Sequence, residues 1–127
     1  MPTVNVMIVD DSAVMRKILE RSLRQTQVVV GNVLEAGDGV EALEKLGSDS
    51  NVHVIFSDVN MPNMDGLEFL RRLKGSADSL KKIPVVMVTT EGTESKVMEA
   101  LSLGAAGYIR KPFTPIQMHE ALSKLFP

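Results

Sequence analysis

Short apolar runs rich in β-branched residues alternate along this chain with longer segments in which apolar residues recur at every third or fourth position. The short runs predict strands at about 4 to 9 (VNVMIV), 29 to 35 (VVGNVLE), 52 to 57 (VHVIFS), 83 to 88 (IPVVMV) and 106 to 110 (AGYIR). The longer segments predict helices whose apolar faces carry Val14, Ile18 and Leu19, then Val40, Leu43 and Leu46, then Leu67, Leu70 and Leu73, then Val97, Ala100 and Leu101. Ile116, Met118, Leu122 and Leu125 predict a fifth. Gly47, Gly75 and Gly104 sit just past the second, third and fourth of these runs, where a helix stop favours a left-handed residue. No linker, repeat or low-complexity stretch interrupts the pattern. A regular βα alternation with mostly buried strands predicts an α/β fold: a doubly wound, five-stranded parallel sheet with helices on both faces, because right-handed crossovers place them there.

In such sheets ligands bind beyond the carboxyl ends of the strands. Those ends carry Asp10 and Asp11 after the first strand, Asp58 after the third, Thr89 and Thr90 after the fourth, and Lys111 with Pro112 after the fifth. A single Asp in such a place is ordinarily a cap or turn residue. Three carboxylates, a hydroxyl pair and an ammonium on one edge make a site. Two carboxylates about 5 Å apart repel by roughly 3 kcal/mol at an effective dielectric of about 20, or about two pKa units. A divalent cation cancels that repulsion, and hard oxygen donors without His or Cys favour Mg²⁺, which is satisfied by a few carboxylates plus phosphate oxygens. Lys111 can neutralise a further charge.

Composition narrows the chemistry. The chain has 127 residues, 44% of them hydrophobic, about the size of one domain with one substantial core. Its formal charge of -2 supplies no basic excess for nucleic acid. No apolar run approaches the roughly 18 residues of a membrane span, and carboxylates arrive too early for a secretory signal, so membrane insertion is not expected and the cytosol is. With no cysteine and only two scattered histidines, His53 and His119, thiolate chemistry is excluded and a His-based metal site is not expected. Carboxylates must carry the chemistry.

The stretches VDDS, SDVNMPNMDGLEFL, VTTE and GYIRKPF resemble, as a set and over the whole chain, the receiver domains of two-component response regulators, most closely the stand-alone members that serve chemotaxis. The resemblance implies a flavodoxin-like (βα)5 receiver fold with strand order 2-1-3-4-5, and because the fifth predicted helix ends near Phe126, residues 1 to 127 are expected to form a single receiver domain with no effector domain. It implies that Asp58 accepts a phosphoryl group from a phosphohistidine on a histidine kinase, giving an acyl phosphate. Asp11 and Asp58 would supply side-chain oxygens to Mg²⁺, the backbone carbonyl of Asn60 a third protein ligand, and Asp10 would act through coordinated water. Lys111 would pair with a phosphoryl oxygen, while the Thr89 hydroxyl and nearby main-chain N–H groups would bind the others. The reacting histidine belongs to the donor. The Lys111–Pro112 bond is expected to be cis. Pro62 and Gly66 would shape the loop after Asp58, and Asp65 is expected as the N-cap of the third helix rather than a metal ligand.

The resemblance also implies a switch, in which the Thr89 hydroxyl moves toward the phosphoryl group and the Tyr108 ring turns into the vacated space. The readout face would be the fourth helix, fifth strand and fifth helix, residues 93 to 126, presented to an unidentified target protein. Glu94 and Glu99 make that helix partly acidic, and Lys96 and Arg110 offer few basic groups, a departure from the lysine-rich patch of motor-binding members. Asn60 and Glu91 would flank the path of the water that hydrolyses the phosphoryl group, and a phosphatase is a further expected partner. No enzyme activity beyond self-phosphorylation and self-dephosphorylation is expected, since Asn60 stands where an aspartate-nucleophile phosphatase would want a carboxylate. The expected function is a single-domain response regulator, with a phosphorelay intermediate or a receiver cut from a longer regulator as alternatives.

Overall fold

The computed structural model describes residues 3–48, 51–90 and 93–126. Strands β1 (Val4–Val9), β2 (Val30–Ala36), β3 (Val54–Ser57), β4 (Val85–Thr89) and β5 (Gly107–Arg110) form one sheet in the order β2-β1-β3-β4-β5. Every pairing is parallel, so each strand must return over a face of the sheet, and the helices lie there. These are α1 (Ala13–Arg24), α2 (Gly39–Ser48), α3 (Gly66–Lys74), α4 (Asp78–Lys81), α5 (Glu94–Ser102) and α6 (Pro115–Leu125).

The period-2 alternation of the strands sorts the core into two layers. Met7 and Val9 of β1, Ile55 of β3 and Val85 and Met87 of β4 point to one face, where Ala42, Leu46, Phe69, Leu70, Leu73 and Ala100 cover them from α2, α3 and α5. Val6, Ile8, Val54, Phe56, Val86 and Val88 point to the other, under Leu19 and Leu23 of α1 and Met118 and Leu122 of α6. Among the described residues, no helix is long and apolar enough to cross a membrane.

Several local expectations change. Val14 is 71% exposed and Ile18 44%, because α1 turns the stripe of Leu19, Ser22 and Leu23 inward instead. Val40, Leu101 and Ile116 are exposed as well. Gly47 lies inside α2, and Gly75 caps α3 with a negative φ, its N–H donating to the Arg71 and Arg72 carbonyls. Gly104 alone of the three takes the left-handed conformation, at φ 99°. The four-residue α4, too short for a helical period, was not anticipated. β4 begins after Pro84, which has no N–H for a ladder bond.

Candidate functional site

The carboxyl ends of β1, β3, β4 and β5 meet at one edge, and each strand delivers its side chain through backbone bonds. Asp10 donates its N–H to the Ala36 carbonyl (3.0 Å) and Asp58 its N–H to the Val9 carbonyl (2.9 Å), extending both ladders one residue past the strands. The two carboxylates are therefore placed by the sheet itself, at 1% and 9% exposure. Lys111 donates its N–H to the Thr89 carbonyl (2.9 Å), fixing the β5 exit beside the β4 exit. The Lys111–Pro112 peptide is cis, as expected.

The Lys111 ammonium lies between the buried carboxylates, 2.8 Å from Asp10 Oδ2 and 3.2 Å from Asp58 Oδ2. Burial works against its charge, but the hydrogen bonds it donates to Asp10 and Asp58 and the attraction of both carboxylates outweigh it and raise its pKa above the ordinary lysine value. The remaining oxygens are held by main-chain donors: Ser12 N–H gives to Asp10 Oδ1 (2.9 Å) and Val59 N–H to Asp58 Oδ1 (2.7 Å). Asp11 is exposed at the mouth, and one carboxylate oxygen from each of Asp10, Asp11 and Asp58 lies within 4.8 Å of the others. Among the described residues, this cluster sets three carboxylates against one ammonium, a formal excess of two negative charges. An all-oxygen donor set with that charge fits a hard divalent cation such as Mg²⁺.

Thr89 closes β4 fully buried, and Tyr108 on β5 is half-buried against the α2, α3 and α5 layer. Asn60 is exposed, two residues beyond Asp58. Glu91 lies outside the described residues. The loop after Asp58 owes its path to Gly66, where an added Cβ would stand 1.9 Å from the Asp58 carbonyl oxygen, and whose N–H donates to the Val59 carbonyl (2.7 Å). Asp65 caps α3 by accepting from Glu68 N–H (2.8 Å), as expected.

Further contacts that steady the site were not anticipated. Asn63, at φ 65°, donates its side-chain amide to Asp38 Oδ2 (2.8 Å), strapping the Asp58 loop to the start of α2. Asp38 also accepts from Glu41 N–H (2.8 Å). An Asp ahead of a helical run was a legible cap signal, though its second bond was not. Arg16 donates to the Asp10 carbonyl (2.6 Å) and to Glu35 Oε1 (2.9 Å), a pairing with no local sequence signature.

Comparison with known proteins places this arrangement in a family. Residues 6–123 match the family model described as the response regulator receiver domain. The chain is 42% identical over 117 residues to the chemotaxis protein CheY1 of Helicobacter pylori, covering 92% of each chain. Among solved structures it is similar to the chemotaxis protein CheY4 of Vibrio cholerae, with TM-score 0.83, 34% identity and coverage of 98% of this chain and 100% of that one. It is also similar to the CheY in a Borrelia burgdorferi CheX–CheY complex with beryllium fluoride and magnesium, with TM-score 0.85, 29% identity and coverage of 98% of this chain and 90% of that one. With the five strands in the order 2-1-3-4-5 and the acidic cluster at their carboxyl edge, the chain belongs to the response regulator receiver domain family.

Proposed function

We propose that this chain is a phosphoryl-accepting signalling switch in which Asp58 is the acceptor, a histidine kinase the donor and Mg²⁺ the required cation. The observation that carries this reading is the Lys111 ammonium bridging Asp10 and Asp58 beside an exposed Asp11. An Asp58 carboxylate oxygen forms a bond to phosphorus while the bond from phosphorus to the donor imidazole nitrogen breaks, the nitrogen keeping the electron pair. Mg²⁺, held by Asp11, Asp58 and the Asn60 carbonyl and by Asp10 through water, would offset the charge on the transferring group. Lys111 is already within hydrogen-bond reach of Asp58 and takes a phosphoryl oxygen. Thr89, buried at the end of β4, takes another, and Tyr108 relays the change to the surface.

The surface that reads out this change is α5, β5 and α6. A groove of about 410 Å³ bordered by Tyr108, Arg110 and Lys124 runs along β5 and α6, and Met98, Leu101 and Ile116 are exposed on the two helices. These features support a protein target there. Similarity to CheY proteins supports a chemotaxis pathway, a cytoplasmic location and a second protein that ends the signal, and the chain performs no turnover beyond its own phosphorylation and dephosphorylation.

Incubation with a small acyl phosphate and Mg²⁺ is expected to add one phosphoryl group by intact mass, and Asp58→Asn to abolish it. Full labelling of that variant would refute the assignment. Asn60→Arg is expected to phosphorylate normally and to lose the group several-fold more slowly, because a bulky cation at the exposed site mouth blocks water; an unchanged lifetime would remove Asn60 from that role.

A further inference from the structure

The Asp10–Asp11 peptide joins a residue held on every side to one that is exposed. Asp10 is fixed at its N–H by Ala36 and at its carboxylate by Ser12 and Lys111. Its carbonyl, which sets the plane of the peptide leading into Asp11, is held by the Arg16 guanidinium at 2.6 Å. Arg16 is half-buried in the first turns of α1, its own N–H donating to the Ser12 carbonyl (3.0 Å). Its Nε is anchored 2.9 Å from Glu35 Oε1 on β2, and Lys17 holds the other oxygen of Glu35 at 2.9 Å. The Glu35 carbonyl in turn accepts from the Lys45 ammonium of α2. The guanidinium is thus held at one end by the carboxylate of a β2 residue and delivers a donor to the Asp10 carbonyl at the other, a geometry that suits Arg and not Lys.

Resting on the reading of the acidic cluster as a Mg²⁺ site, we infer that Arg16, anchored by Glu35, is a positioning residue that orients the Asp10–Asp11 peptide so that Asp11 presents its carboxylate to the cation. A group behind the ligands that fixes their direction typically changes metal affinity by about 10- to 100-fold when removed. The charge of Arg16 acts the other way: a cation beside a cation site repels it, so simple loss of charge would tighten Mg²⁺ binding. Orientation and charge therefore predict opposite signs.

The test is calorimetric Mg²⁺ titration of the parent, Arg16→Met, Arg16→Lys and Glu35→Met, each confirmed folded at the assay temperature by circular dichroism without metal. Arg16→Met is expected to raise the Mg²⁺ dissociation constant roughly tenfold. Arg16→Lys, which keeps the charge but cannot span Glu35 and the Asp10 carbonyl together, is expected to fall near Arg16→Met. Glu35→Met leaves Arg16 in place without its anchor and is expected to weaken binding by a smaller factor. Equal or tighter binding by Arg16→Met, or full restoration by Arg16→Lys, would overturn the inference while leaving the Mg²⁺ site standing. A parent protein that binds no Mg²⁺ would overturn both.

Discussion

The two ends of the parallel sheet treat their polar groups in opposite ways. At the amino end, Asn5 donates its side-chain amide to the Asn51 carbonyl (3.0 Å) and accepts from Asn32 N–H (3.0 Å). Its main-chain N–H donates to His53 Nδ1 (2.9 Å), and its carbonyl accepts from His53 N–H (2.9 Å). Among the described residues that network joins uncharged side-chain and main-chain groups, and it holds β1, β2 and the approach to β3 in register. At the carboxyl end one ammonium serves two buried carboxylates, with a third carboxylate left at the mouth. Both ends have the same backbone scaffold, and the difference lies in charge: neutral groups pair at the amino end, whereas carboxylates outnumber the ammonium at the carboxyl end.

The largest expected contrast is Lys111→Met, which leaves Asp10 and Asp58 buried without a counter-charge. Without metal it is expected to lose about 3 kcal/mol of stability in urea unfolding, and saturating Mg²⁺ to restore more than half of that loss. A variant as stable as the parent in the absence of metal would show that the carboxylates do not strain this edge. At the amino end Asn5→Ala is expected to cost about 1 kcal/mol, for hydrogen bonds between neutral groups near the surface. That loss should be the same with and without Mg²⁺, and a metal-dependent loss would mean that the two ends are coupled.

The smallest effect concerns Glu35. The hydrogen bond from Lys17 and, less strongly, that from Arg16 hold its carboxyl below the ordinary glutamate range, with burial pulling the other way. A carboxyl whose folded pKa is depressed contributes its stability above the unfolded value of about 4.3 and loses it as pH falls through the folded pKa. The stability advantage of the parent over Glu35→Gln is therefore expected at pH 6 and should shrink by pH 3. Because this pair is water-screened, the change is no more than about 0.5 kcal/mol. An advantage that stays constant over that range would show that the carboxylate charge is not what secures the pair.

Much of this molecule was written in local pattern. Short β-branched apolar runs placed all five strands within two residues of their observed limits, and a spacing of three to four residues placed all the longer helices, because buried strands and helix faces leave their mark within each segment. The strand-end positions of Asp10, Asp11, Asp58, Thr89 and Lys111 followed directly, and so did the Asp65 cap, a bond that spans three residues. Contacts between distant segments decided the rest. Which stripe of α1 faces the sheet depends on α6 and β2, so Val14 and Ile18, equally apolar, ended outside. Lys111 meets Asp10 across 101 positions, and Arg16 reaches Glu35 across 19. The sequence by itself determined the order of elements and the chemistry at the strand ends. Only the tertiary structure decided which charges neutralise one another, because that depends on distance through space, and in a parallel sheet neighbouring strand ends are far apart along the chain.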